Sequence, residues 1–139
     1  MKHLSIAFVP LALSTLASAQ EPPQTLDASE AAAGQNIYSR YCAACHGKEG
    51  RGDGTLASGL TKRPPDLTTL TSKNDGKFPF EKVARSIDGR ETPRAHGTTN
   101  MPAWGEVFGK TTGTESPTVE SAVKRITHYV WSIQRQALP

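Results

Sequence analysis

The chain has 139 residues and carries 16 Lys and Arg against 13 Asp and Glu, a formal charge of +3. One ordinary domain fits that length and a second does not, while so slight a positive balance gives no reason to expect nucleic acid or an anionic membrane as partner. From residue 20 onward, Leu, Ile, Val and Phe make up 18 of 120 residues, or 15%, below the roughly 20% at which globular chains usually sit. With little net charge to hold it open, such a chain points to a core completed by apolar volume from elsewhere.

Residues 1–19 read as a signal peptide. Lys2 is followed by an uncharged apolar stretch and then by Ala17-Ser18-Ala19, small residues of the kind cut by signal peptidases. Pro10, Ser14 and Thr15 interrupt the stretch, which is shorter than the ~20 apolar residues a membrane span needs. Cleavage is expected between Ala19 and Gln20, with no transmembrane segment in the mature chain. Residues 20–27, with Pro22 and Pro23, form a flexible lead-in to a domain over residues 28–139.

Asp27 and Glu30 stand three apart, as in a capping box, and the pattern then carries Ala32, Ile37 and Tyr38 without a proline, predicting a helix over residues 28–42. Residues 47–65 are glycine-rich, end in a proline pair and read as loop. Asp66 is placed to cap a short helix over 67–72, stopped by Asn74-Asp75-Gly76. Phe80, Val83, Ala84 and Ile87 fall at i, i+3, i+4, i+7 and predict a short helix ending at Gly89. Residues 89–102 and 111–116 read as irregular. The last helix is predicted to be capped by Ser116 with Pro117 in its first turn, with Val119, Val123, Ile126, Val130 and Ile133 along one face to about residue 136. No strand pattern appears, so the expected class is all-α with long loops.

Cys42-Ala43-Ala44-Cys45-His46 uses both cysteines of the chain. Two intervening residues put both sulfurs on one side of a helical turn, at a reach matching the two vinyl groups of a porphyrin, and the next residue offers an imidazole to the iron. A structural disulfide or a thioredoxin-type dithiol also fits two cysteines, but the dithiol expects a βαβ context that is absent here. A zinc site needs about four ligands and lacks its second half. The pattern therefore points to one covalently attached haem c, with His46 as a metal ligand.

For the second axial position the mature chain offers Met101, His96 and His128. Met101 is followed by Pro102, which disfavours helix just before it and holds the thioether on an extended loop. Its glycine- and threonine-rich surroundings suit a ligand better than a core-filling methionine. His96 is the second candidate, or a partner for a haem propionate. His128, on the last helix, is expected to be exposed. Arg90 and Arg94 are candidate propionate partners, because guanidinium matches carboxylate geometry.

These residues resemble the class I cytochrome c family over residues 31–134. Gly34 and Tyr38, with Ile126 and Tyr129, stand where that family's first and last helices cross. Pro64-Pro65-Asp66-Leu67 resembles the loop in which a proline carbonyl accepts the proximal histidine's N–H, a role for Pro64 or Pro65 toward His46. Ile87-Asp88-Gly89-Arg90, His96-Gly97 and Met101-Pro102-Ala103-Trp104-Gly105 look like bacterial monohaem cytochromes, which adds Trp104 to the cofactor-contacting set. The resemblance implies the cytochrome c fold and periplasmic electron transfer with His46 and Met101 on the iron. It also implies redox-protein partners, with the chain a monomer or in transient complexes, and no catalytic residues. The alternatives are an electron-transfer subunit of a larger oxidoreductase, and a haem enzyme or gas sensor with an open distal site.

Overall fold

The computed structural model describes residues 24–90, 101–110 and 118–135. Among these residues the chain forms five α-helices, two 3-10 turns and no strand: α1 (Ala28–Tyr41), α2 (Ala43–His46), α3 (Phe80–Asp88), α4 (Trp104–Lys110) and α5 (Val119–Ser132), with the turns at Ala57–Gly59 and Leu67–Thr69. The all-α class is as expected. The expected signal peptide, the lead-in prolines, the cap at Ser116 and Pro117, and the candidates Arg94 and His96 lie outside the described residues.

Asp27 caps α1, its carboxylate accepting from the Ser29 and Glu30 backbone N–H groups at 2.9 and 3.0 Å, which satisfies donors that a helix start leaves orphaned. The helix buries Ala31, Gly34 and Tyr38, not Ala32, which is exposed. α5 lies across it. Gly34 meets the Arg125 carbonyl and the Ile126 nitrogen, leaving no room for a Cβ. One helical turn on, Tyr38 and Tyr129 pack ring to ring at 4.8 Å. Glu30 pairs with Arg125 at 3.1 Å at the rim of the crossing. The core built here joins Tyr38, Cys42, Ile87, Val123, Ile126, Tyr129 and Val130.

Three elements differ from expectation. α5 starts later than predicted, at Val119, because the Thr118 hydroxyl accepts from the Ser121 N–H at 3.3 Å and so acts as the cap. The stretch after Asp66 closes as a single 3-10 turn, capped as predicted by Asp66 on the Thr68 N–H at 2.9 Å. α4 was not predicted: Trp104–Lys110 contains two glycines in seven residues, which weakens any helical pattern. Its aromatic face forms it instead, with Trp104 and Phe108 packing edge-on against Tyr41 at 5.5 and 5.4 Å.

His128 is buried, 3% exposed, where exposure was expected. The second face of α5 is covered by α3 and its approach, so His128 meets Phe80 edge-on at 4.9 Å and lies against Trp131 at 6.2 Å.

Candidate functional site

α1 ends at Tyr41, where Cys42 caps it, donating its own N–H to the Tyr38 carbonyl at 2.8 Å. α2 then turns through the motif: Cys45 and His46 both donate backbone N–H to the Cys42 carbonyl, at 3.1 and 2.9 Å. One tight turn thus carries Cys42, Cys45 and His46. No disulfide joins the two cysteines, of which Cys42 is buried and Cys45 half-buried. Burial, and then the neighbouring Cys45, pushes the Cys42 thiol up to about 12, opposite to the lowered thiol that a dithiol redox catalyst requires.

The loop after α2 folds back over the motif. Gly52 donates to the His46 carbonyl at 2.7 Å, Gly54 to Cys45 at 3.2 Å and Leu56 to Ala44 at 2.8 Å. Glycine is needed at two points of this fold-back: at Gly54 a Cβ would strike the Ala44 and Cys45 backbone, and Gly47 combines a φ of +83° with close contact to Asp53. Tyr38 braces the turn from below, its hydroxyl donating to the Gly47 carbonyl at 2.8 Å. Burial raises the Tyr38 pKa well above the usual tyrosine value, so this donor stays protonated.

His46 is 8% exposed and its Nδ1 is buried without a hydrogen-bond partner. Burial pulls the imidazole below its ordinary pKa, and the Pro65 backbone, acting as acceptor, opposes this. Of the two prolines, Pro65 is thus the one whose backbone acts on the ring. Pro64 faces elsewhere, its carbonyl lying against Gly52, so the structure separates the two prolines that the sequence left equivalent. The proline loop is itself tied down. Leu67 donates to the Gly50 carbonyl at 2.7 Å, and the Gln134 amide accepts from the Thr71 N–H at 2.9 Å while donating to the Leu67 and Val130 carbonyls at 2.7 Å each. Gln134 was missed because a lone glutamine at a helix end carries no sequence signal.

Met101 is half-buried and packs against the core cluster that includes Cys42. It is thus better packed than an extended polar loop implied. Trp104, three residues on, meets Tyr41, the residue before Cys42, so the methionine arm and the cysteine motif approach the same part of the core. Arg90 lies at the C-terminal end of α3, where its Nε and Nη2 engage both oxygens of Asp88 at 2.7 and 2.9 Å.

Two sulfurs and a buried imidazole on one turn, with a glycine loop laid over them, fit a covalently held planar cofactor. Among the described residues, no three His, Cys, Asp or Glu side chains cluster as a bare metal site. No helix among them is long and apolar enough to cross a membrane.

A family model described as Cytochrome c matches residues 31–134. No curated protein and no solved structure matches the chain.

Proposed function

This chain belongs to the cytochrome c family, and on that premise we propose that it is a class I, bacterial periplasmic monohaem carrier with His46 and Met101 as axial ligands. The family fixes the coarser points: the protein binds haem c covalently and works in haem-based electron transport. Bound haem supplies a reversible one-electron couple.

In this reading the Cys42 and Cys45 sulfurs would carry the two thioether links, and α2 would present His46 to the iron as a ligand. With haem on the other ring nitrogen, the Pro65 carbonyl would accept the His46 N–H, orienting the imidazole and raising its donor strength. Met101 is a soft, weakly donating ligand that favours the reduced metal, and burial acts in the same direction. Trp104 would contact the cofactor. Export follows from cleavage after Ala19, leaving residues 20–27 as a lead-in to the domain over 28–139. Redox proteins are its partners.

The observation that carries the proposal is that the Met101 arm packs beside the cysteine motif, through Trp104 on Tyr41 and Met101 on the core cluster of which Cys42 is a member. Replacing Met101→His tests it by potentiometry. The midpoint should fall by a substantial part of the roughly 0.8 V that axial ligands span, and an unchanged midpoint would remove Met101 from the iron.

A further inference from the structure

The arm that carries Met101 is held at a second place besides Trp104. At Gly89, which ends α3 with a φ of +68°, a Cβ would come within 2.9 Å of the Ala103 Cα. At Gly105 a Cβ would strike the Asp88 Oδ1 and come within 2.7 Å of the Arg90 Nε. Residues 88–90 therefore press on 103–105, immediately after Met101-Pro102. Asp88 is held there by Arg90, which donates from its backbone N–H, Nε and Nη2 at 3.2, 2.7 and 2.9 Å.

Exposed ion pairs usually contribute little, but bidentate geometry is the recognised exception. The Asp88 side chain is only 24% exposed, and its carboxylate lies on a glycine that no other residue could replace without displacing it. The arm is thus fixed by two contacts, aromatic packing on Tyr41 and a charged clasp on Gly105.

We propose that Asp88 and Arg90 are positioning residues that hold Met101 at its ligating place. The inference rests on the assignment of Met101 as a ligand. A thioether is a weak donor, so its retention depends on how little freedom its backbone has when the bond opens. Loosening the clasp should let the bond open more often, while the aromatic face keeps α4 in place.

The test uses haem-loaded protein carrying Asp88→Asn, Arg90→Gln or Arg90→Lys, beside the unaltered chain. The readouts are the long-wavelength ferric iron–thioether absorption band, the rate of carbon monoxide binding to the ferrous form, and the melting temperature. Asp88→Asn and Arg90→Gln should weaken the band and speed carbon monoxide binding by about 10–100-fold, the usual cost of removing a group that orients a ligand. Arg90→Lys, which keeps the charge but not the fork, should fall between. Band and gas binding unchanged in all three variants would overturn the clasp, even if melting moved. A midpoint shift confined to Arg90→Gln would also overturn it and return Arg90 to a propionate role. If the unaltered protein shows no thioether band and binds the gas rapidly, the assignment of Met101 fails and the clasp fails with it.

Discussion

His128 accepts the Asp27 backbone N–H on its Nδ1 at 3.2 Å, tying the start of α1 to the middle of α5. That bond needs the neutral ring. Burial first, then Lys124 on the same helix, lowers its pKa, while Asp27 and Glu30 at the start of α1 pull it back up; Phe80 and Trp131 add only apolar rings. A histidine with a depressed folded pKa contributes stability that is complete above its unfolded value near 6.5 and is lost as pH falls from there toward the folded value. The haem-loaded protein should therefore melt at progressively lower temperature as pH falls from about 7 to 5. His128→Gln, whose amide oxygen can accept the same N–H without titrating, should flatten that part of the profile. A profile unchanged by the substitution would place the pH dependence elsewhere. The burial was not legible because hydrophobic periodicity ranks a histidine as polar, and the ring is covered by α3 and the chain leading into it, at Phe80, far from it in sequence.

The crossing of α1 on α5 rests on Gly34, where the two backbones meet. Gly34→Ala should destabilise the haem-loaded protein by about 1–3 kcal/mol, the usual cost of overpacking, as read by denaturant titration; a neutral result would mean that the crossing relaxes freely. Caps and faces of this kind were readable where the signal is local. Asp27 and Asp66 cap as the residues indicated, and α3 follows its i, i+3, i+4, i+7 stripe. α4 was not readable, because its formation depends on Tyr41, more than sixty residues earlier in the chain. Thr118 was passed over because Ser116-Pro117 offers the more familiar cap. The haem motif was complete in five consecutive residues, whereas the separation of Pro65 from Pro64 and the Gln134 bracket exist only once the loop has folded over Gly52 and α5.

The molecule as a whole is lightly provided with apolar side chains, and among the described residues the largest fully buried side chains of any kind are Tyr38, Ile126 and Thr127. One is a threonine, and one a tyrosine that must also satisfy its hydroxyl. So small a core cannot offset the entropy of ordering some hundred residues, and a covalently held cofactor that completes it should couple folding to attachment. Cys42→Ser with Cys45→Ser should abolish covalent haem and yield a chain with little helical circular dichroism. A stable helical form without haem would contradict that coupling.

The central claim, a closed six-coordinate site with His46 and Met101 on the iron, is tested most directly by absorption spectra of the haem-loaded protein when oxidised, when reduced, and when reduced under carbon monoxide. Sharp ferrous bands, a weak long-wavelength ferric band and no response to the gas are the results the account predicts. A high-spin ferrous spectrum that changes promptly with carbon monoxide would contradict it, leaving Met101 as a packing residue and the distal face open for binding or catalysis.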